Sequence, residues 1–306
     1  MYNIAFIYPG QGAQKVGMGK DFYEKSVIAK DIYDRANKKL DFDLLDVCFR
    51  DNEKIDKTEY TQPALVATCL AITRELMDNG IKPDITAGLS LGEYAAIATA
   101  GGMDDIDAIT TVRRRGIYMS NAVPRKDGGM AAVLGLDNDV VSKVVKNMED
   151  VDIANYNCPG QIVITGKVSG LEKAIEKLNE AGAKRCIKLN VSGPFHSKYL
   201  KTAGTKLRSD LNNVNFRELK IPYITNVNAG EVNKVIDTKD LLEKQVSSSV
   251  MWEQSMRKMI DLGVNKFVEI GPGKTLRSFL KKIDRNVEVF NVSSMEDISN
   301  IREKLC

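Results

Sequence analysis

One short segment of the chain has the residue types and spacing of an activated serine nucleophile. Gly88-Leu89-Ser90-Leu91-Gly92 follows a short apolar run and precedes an alanine-rich stretch that predicts a helix. Glycines on both sides of a serine let the backbone turn sharply, so that the hydroxyl projects from the end of a strand. This order of strand, turn and helix is typical of a nucleophile elbow. The alternative is a Gly/Ser turn that only caps the helix.

A serine nucleophile needs a base with a pKa near neutrality, and the chain contains a single histidine, His196. It lies beside a proline turn in Ser192-Gly193-Pro194-Phe195-His196-Ser197. A lone histidine in such a place is more often structural, but together with the elbow it is predicted to be the base of Ser90. The sequence leaves open whether a carboxylate or a backbone carbonyl orients the imidazole.

Two other glycine-rich segments follow predicted strands. Gly10-Gln11-Gly12-Ala13-Gln14 fails the dinucleotide fingerprint because Lys15 stands at the third glycine position. It is either a tight turn or a place where Gln11 donates hydrogen bonds to an oxyanion. Gly271-Pro272-Gly273-Lys274-Thr275 imitates a phosphate loop, but Val268 stands where its first glycine is required, so a strand-to-helix turn is predicted.

Three consecutive arginines lie in a helix predicted over residues 105–120. On a helical wheel, Arg113 sits on the apolar side, Arg115 at its edge, and Arg114 points away. Such a run is usually a solvated face, but a partly buried guanidinium needs an anionic partner. A substrate carboxylate would bind it bidentately. Spacing alone does not choose between Arg113 and Arg115.

The composition is that of an ordinary globular protein, with 306 residues, 43% hydrophobic and 28% charged. A formal net charge of +3 is too small for a nucleic-acid-binding surface. The sequence has no stretch suited to spanning a bilayer and no basic leader, so we expect a cytoplasmic protein without a membrane partner. Five scattered cysteines without a C-x-x-C pair predict reduced thiols rather than a disulfide or zinc framework.

The elements that must position these residues follow the order of an α/β protein with an insertion. A buried strand is predicted over residues 3–8, and a helix begins near Pro63 and ends at Asn79-Gly80. Residues 129–190 have the pattern β-α-β-β-α-β of a ferredoxin-like unit. We therefore predict a small domain, residues 127–191, inserted into a larger α/β domain formed by residues 1–126 and 192–306.

Seven segments together resemble the malonyl-CoA:acyl carrier protein transacylase family of type II fatty acid synthesis. They run in order along nearly the whole chain, at residues 6–14, 60–64, 88–94, 115–119, 155–161, 195–197 and 269–273. Several motifs in the right order are more specific than any one of them. The resemblance implies an α/β-hydrolase-like core with an inserted ferredoxin-like (βαββαβ) subdomain, in agreement with the strand order above.

The resemblance also implies a reaction. A malonyl group would pass from malonyl-CoA to the phosphopantetheine thiol of an acyl carrier protein through a malonyl-serine ester. The positions that match the family's site are Ser90 and His196 for catalysis, Gln11, Leu91 (through its N–H) and Arg115 for the oxyanion and the substrate carboxylate, and Gln245, whose backbone carbonyl would orient the histidine. No cofactor and no metal are implied beyond these substrates, and we expect a monomer.

The chain departs from the family pattern at two positions. Leu89 precedes the nucleophile where the family usually has a histidine, and Ser120 replaces a common glutamine. That histidine is not the base, so the departure at Leu89 concerns packing and acyl selectivity rather than mechanism. Phe195 matches the family pattern that favours malonyl over branched malonyl groups, because its ring leaves little room for a 2-methyl group.

Three other functions remain open from the sequence. They are an acyltransferase of a polyketide pathway, a serine thioesterase on the same fold, and a carrier-binding module without activity. Arg115 argues against a lipase-like enzyme because it implies an anionic acyl group. The cationic residues near the catalytic motifs are candidates for carrier docking: Arg125, Lys126, Lys198 and Lys201.

Overall fold

The computed structural model describes residues 2–124 and 127–305, which form ten strands in two sheets and thirteen α-helices. The strands are β1 (Ile4–Tyr8), β2 (Ile85–Gly88), β3 (Gly128–Leu134), β4 (Val151–Cys158), β5 (Gln161–Lys167), β6 (Arg185–Lys188), β7 (Tyr223–Ile224), β8 (Glu231–Val232), β9 (Lys266–Ile270) and β10 (Glu288–Val292). The helices are α1 (Lys20–Lys25), α2 (Val27–Lys39), α3 (Leu44–Phe49), α4 (Thr58–Asp78), α5 (Gly92–Thr99), α6 (Asp105–Ser120), α7 (Asn138–Lys146), α8 (Val168–Glu180), α9 (Lys201–Leu211), α10 (Thr238–Gln245), α11 (Trp252–Asp261), α12 (Thr275–Ile283) and α13 (Met295–Leu305).

The larger sheet has the strand order β10-β9-β1-β2-β7-β8, parallel except for β8 at one edge. Alternate residues of β1 enter the cores on opposite faces of the sheet, Phe6 on one side and Ile7 on the other. A central parallel strand is apolar on both faces because helices cover both. Tyr8 pairs with Gly88, so the loops after β1 and β2 leave the sheet side by side.

The smaller sheet is antiparallel, with the order β4-β5-β3-β6. Helices α7 and α8 cover one of its faces around Val133, Ile153 and Ile164. The chain order β3-α7-β4-β5-α8-β6 and the parallel main sheet confirm the predicted fold class, an α/β-hydrolase-like core with an inserted ferredoxin-like subdomain. The domain boundaries at residues 127 and 191 stay a prediction.

Helix α4 begins at Thr58, five residues before the predicted start at Pro63, so the predicted start was wrong. Proline has no N–H and leaves the carbonyl four residues earlier without its helical partner. Here Arg113 of α6 donates to that carbonyl, the Glu59 oxygen, over 2.8 Å. The hydrogen bond from a neighbouring helix explains why the proline is tolerated inside α4.

The segment 271–275 is the predicted turn between β9 and α12. The buried Glu269 carboxylate accepts the N–H groups of Leu276 and Arg277 at the start of α12, over 3.0 and 2.9 Å. Anions bind at helix N-termini through such N–H groups. The chain's own carboxylate therefore fills the position that a phosphate would take.

The structure also bears on membranes and thiols. Within residues 2–124 and 127–305, every helix is too short or too polar to cross a bilayer. The four cysteines in these ranges are free thiols, and Cys48, Cys69 and Cys158 are buried. No group of three potential metal ligands occurs in the same part of the chain.

Candidate active site

Ser90 stands at a sharp turn between β2 and α5, with a backbone φ of 54° in the left-handed region. Non-glycine residues adopt this conformation rarely and at an energetic cost. The flanking glycines are required by close approach. A Cβ at Gly88 would overlap the backbone of Gly92, and a Cβ at Gly92 would lie 2.5 Å from the Tyr8 oxygen. The turn therefore has the geometry predicted for a nucleophile elbow.

Asn226 is buried just after β7, the strand that pairs with β2, and its side chain stabilises this turn. Its Oδ1 accepts the Ser90 N–H over 2.7 Å, and its Nδ2 donates to the Gly88 carbonyl over 2.7 Å. One amide side chain thus satisfies the N–H of the strained residue and the carbonyl two residues before it. Sequence reasoning assigned no role to Asn226, which lies 136 residues from Ser90 in the chain.

The structure brings Ser90 and His196 together. The serine Oγ lies 2.8 Å from His196 Nε2, and His196 Nδ1 lies 2.9 Å from the backbone oxygen of Gln245. A carbonyl oxygen only accepts, so Nδ1 carries the proton and Nε2 presents its lone pair to the serine hydroxyl. Of the two orienting groups that the sequence left open, the structure has the backbone carbonyl.

The imidazole is 4% exposed. Burial, followed by the charge of Arg115, lowers the pKa of His196 to about 4. The ring is therefore neutral near pH 7 and available to accept a proton from Ser90. His196 also has a positive φ, 58°, so both members of the pair occupy the left-handed region.

Arg115 is the arginine that reaches the serine. Its Nη2 donates to Ser90 Oγ over 3.0 Å and to Gln245 Oε1 over 2.9 Å, and its Nη1 donates to Gln62 Oε1 over 2.8 Å. The side chain is 1% exposed, its Nε has no hydrogen-bond partner among the described residues, and burial lowers its pKa.

All of these partners of Arg115 are neutral. None of the ion pairs in the described ranges involves this arginine. Arg113 instead pairs with Asp41 over 2.8 Å and makes cation–π contacts with the rings of Phe42 and Tyr60. A buried guanidinium without a contacting carboxylate can receive an anion beside the nucleophile.

Gln11 is placed differently from its predicted use. Its side-chain Nε2 donates to Thr58 Oγ1 over 3.0 Å and is engaged there. The main-chain N–H groups of Gln11 and Leu91, by contrast, have no protein acceptor among the described residues. Both residues line the cavity that contains Ser90. Two unused N–H groups of this kind are suited to bind a developing oxyanion.

The reacting pair opens into a cavity of about 490 Å³, a size typical of small-molecule sites. Met130, Asn155 and Val163 of the smaller sheet form one wall. Leu89, directly after β2 of the larger sheet, lines the opposite side, and Phe195 of the loop after β6 also lines the cavity. The cavity therefore lies between the two sheets, and the inserted unit closes the site.

Gln245 contributes its side chain as well as its carbonyl. Its Nε2 donates to the Ser90 backbone oxygen over 2.9 Å and to Glu93 Oε2 over 2.6 Å. Glu93 is fully buried, and burial raises its pKa to about 7. Sequence reasoning assigned no role to Glu93 or Gln62. Their places inside the family-matched segments 88–94 and 60–64 were the signal that could have identified them.

Two of the four docking candidates can be located. Lys198 donates to the Glu149 backbone oxygen and lies 3.9 Å from Asp152, and Lys201 is exposed at the start of α9. Arg125 and Lys126 lie outside the described residues. Carrier docking at these cations stays a prediction.

Comparison with known proteins gives the same result at the levels of family, sequence and structure. The model of the acyl transferase domain family matches residues 5–300. The malonyl CoA-acyl carrier protein transacylase of Bacillus subtilis (strain 168) is 44% identical over 303 residues, covering 97% of this chain and 96% of that protein. The crystal structure of the enzyme of that name from Clostridium perfringens has a TM-score of 0.95 at 40% identity, covering 99% of this chain and 97% of that one. A malonyl-transacylase solved in complex with a type II polyketide synthase acyl carrier protein also has a TM-score of 0.95, at 32% identity and 99% coverage of both chains.

Proposed function

This chain belongs to the acyl transferase domain family, and we propose that it transfers a malonyl group from malonyl-CoA to the phosphopantetheine thiol of an acyl carrier protein. The observation that carries the proposal is the position of Arg115. This buried cation has only neutral hydrogen-bond partners among the described residues, and its Nη2 lies 3.0 Å from Ser90 Oγ. An acyl group with a terminal carboxylate satisfies this guanidinium, and malonyl is such a group. The reaction belongs to fatty acid biosynthesis, with a polyketide carrier as the alternative.

In the first half-reaction, Ser90 Oγ attacks the thioester carbonyl of malonyl-CoA while His196 Nε2 takes the serine proton. The N–H groups of Gln11 and Leu91 bind the oxyanion of the tetrahedral intermediate. Collapse breaks the carbon–sulfur bond, and the departing CoA sulfur takes the proton from His196. The products are CoA and a malonyl ester of Ser90.

In the second half-reaction, the phosphopantetheine thiol gives its proton to His196, and its sulfur attacks the ester carbonyl. The same N–H groups bind the second oxyanion. Collapse returns the proton to Ser90 Oγ and releases the malonyl thioester of the carrier. One neutral imidazole therefore serves both halves, since each half begins and ends with the same protonation state.

Acyl selectivity follows from the two ends of the bound group. Arg115 binds the malonyl carboxylate, and the ring of Phe195 limits room beside the carbon that a methyl branch would occupy. Leu89 adds an apolar side chain to the same cavity. We accordingly propose malonyl as the preferred group.

The remaining parts of the proposal concern partners and setting. The enzyme works in the cytoplasm as a monomer, with malonyl-CoA and the acyl carrier protein as its partners. Both half-reactions are acyl transfers that the described side chains can perform. The proposal therefore includes no cofactor and no metal.

The test is to incubate the protein with malonyl-CoA, with and without phosphopantetheinylated carrier. Mass spectrometry should detect a malonyl adduct that is absent in Ser90→Ala and that disappears when the carrier is added. Rapid malonate release without carrier would favour the thioesterase, and the absence of an adduct would favour a carrier-binding module. Carriers from fatty acid and polyketide pathways, compared as acceptors, distinguish the two transferase alternatives.

A further inference from the structure

We propose that Glu93 is a positioning residue for this acyl transfer, because its carboxylate holds the Ser90 turn and the His196-orienting residue Gln245 in one fixed arrangement. The inference rests on the proposed function, for which Ser90 and His196 are the reacting pair. Glu93 does not contact the substrate cavity. It acts through Gln245 and through Asn226.

The first route runs through the side chain of Gln245. Glu93 Oε2 accepts from Gln245 Nε2 over 2.6 Å. An ionised carboxylate only accepts hydrogen bonds, so it dictates which end of the amide faces it. With Nε2 directed at Glu93 and at the Ser90 carbonyl, Gln245 Oε1 must face Arg115, to which it is bonded over 2.9 Å.

The reversed amide would place donor against donor. Gln245 Nε2 would then meet Arg115 Nη2, and the Ser90 carbonyl would lose its partner. Arg115 would lose one of the acceptors that aim it at Ser90 Oγ. The ionised form of Glu93 excludes this arrangement, and in doing so it fixes the residue whose backbone oxygen holds His196.

The second route runs through the main chain of Asn226. Its N–H donates to the same Glu93 oxygen over 3.1 Å. The side chain of Asn226 bonds to both Gly88 and Ser90, as described above. A single buried oxygen atom is therefore connected to the base on one side and to the nucleophile on the other.

The charges around Glu93 support an ionised working form. The charged or titratable groups that face it are Arg115 of α6, Tyr223 of β7 and Tyr94 on its own helix. The groups that α4 and β1 bring to α5, Arg74 and Tyr8, lie at the far end of that helix. Arg115 is the only cation among the three groups that face Glu93, so Glu93 is its counter-charge across the Gln245 amide.

The experiment measures the single-turnover rate of malonyl-Ser90 formation from pH 5 to pH 9 in the wild type, Glu93→Gln and Glu93→Asp. Glu93→Gln keeps the shape and removes the charge, and we expect the rate at pH 8 to fall on the order of 10- to 100-fold. The wild-type rate should fall as the pH drops through about 7, where Glu93 becomes protonated. Glu93→Gln should lack this acid limb, and Glu93→Asp should retain it.

The matched control is Glu269→Gln, which neutralises another fully buried carboxylate, at the start of α12. It should lower the melting temperature and keep the wild-type acid limb. A rate for Glu93→Gln equal to wild type, or a reduced rate with the acid limb unchanged, would overturn the inference. If Glu93→Gln does not fold, Glu93→Asp decides, because a shortened carboxylate that acylates at the wild-type rate also overturns it.

A double-mutant cycle with Gln245→Ala tests the first route. The Gln245→Ala variant keeps the backbone carbonyl and removes the amide that transmits the effect. The combined fold-loss in Glu93→Gln/Gln245→Ala should be smaller than the product of the single fold-losses, and a combined loss equal to that product contradicts the coupling. Failure of the proposed function looks different, because the wild type itself would then form no malonyl-Ser90 or would hydrolyse it to malonate without a carrier.

Discussion

The neighbours of a charged side chain distinguish Arg113 from Arg115. Arg113 has its carboxylate, its carbonyl and two aromatic rings, and its bonding is complete within the fold. Arg115, two residues later, is buried among neutral oxygens beside the nucleophile. The helical wheel could not separate them because both lie near the apolar side of α6. The deciding information is which partners other elements bring, and a single helix does not contain it.

We expect Arg115→Ala to reduce malonyl transfer far more than acetyl transfer. Loss of charge-assisted bonds to a carboxylate corresponds to roughly 10- to 100-fold in rate, and an acetyl group has no carboxylate to lose. The measurement is the rate of transfer from malonyl-CoA and from acetyl-CoA to the carrier. Equal losses for both donors would contradict the role of Arg115, and Arg113→Ala should leave the malonyl-to-acetyl ratio unchanged.

Phe195→Ala should relax acyl selectivity. The ring lies on the cavity wall and is 6% exposed, so its removal makes room for a branched group. The ratio of methylmalonyl to malonyl transfer should rise by about tenfold, the scale on which pockets discriminate one methyl group. An unchanged ratio would mean that another side chain limits the pocket at the branched carbon.

The ends of helices and strands can be predicted from the sequence where local residues set them, and not where contacts from distant elements do. The turn at Ser90 and the βαββαβ order follow from local patterns, and the fold and the family are confirmed. His196 was identified as the only histidine of the chain, and its role as the base stays a prediction. The start of α4 at Thr58 could not be found, because proline normally stands in the first turn of a helix and the compensating Arg113 is distant in sequence. The role of Asn226 was missed for the same reason, because its partners Gly88 and Ser90 come close to it only in the folded sheet.

Arg113→Ala should destabilise the junction between α4 and α6. It leaves the Glu59 carbonyl without a protein donor and removes two cation–π contacts. We expect the free energy of unfolding to fall by about 2 kcal/mol, measured by urea denaturation. The exposed neighbour provides the comparison, because Arg114→Ala should change the free energy of unfolding by less than about 0.5 kcal/mol.

At the scale of the whole molecule, protonation of the buried groups Glu93 and His196 is coupled to folding, because the pKa of each differs between the folded and unfolded states. Burial raises the pKa of Glu93 from 4.5 to about 7 and, with the charge of Arg115, lowers that of His196 from 6.5 to about 4. Between pH 4.5 and pH 6.5, the folded state holds a proton at Glu93 that the unfolded state lacks, whereas the unfolded state holds one at His196 that the folded state lacks. The two effects on stability oppose each other, so this pair gives little net pH dependence in that range.

Replacing Glu93 by glutamine should reveal its separate contribution to the pH dependence of stability. A raised carboxyl pKa contributes stability that is fully present below pH 4.5 and is lost as the pH rises through about 7. Relative to Glu93→Gln, the wild type should therefore lose up to about 1.4 kcal/mol of unfolding free energy per pH unit across that range. Urea denaturation of both proteins at pH 5 and pH 7.5 checks this, and a stability difference independent of pH would contradict it.

The left-handed backbone at Ser90 and His196 creates a trade-off between the stability of the fold and its catalytic rate. Glycine adopts a positive φ without a Cβ penalty, so Ser90→Gly should be more stable than the wild type by up to about 1 kcal/mol, and it should be inactive. Laboratory selection for heat resistance alone should accordingly enrich glycine at these two positions. Selection for acyl transfer should remove glycine from both positions, because glycine has no side chain to act as nucleophile or base. The observed residues therefore retain catalysis at a cost in stability.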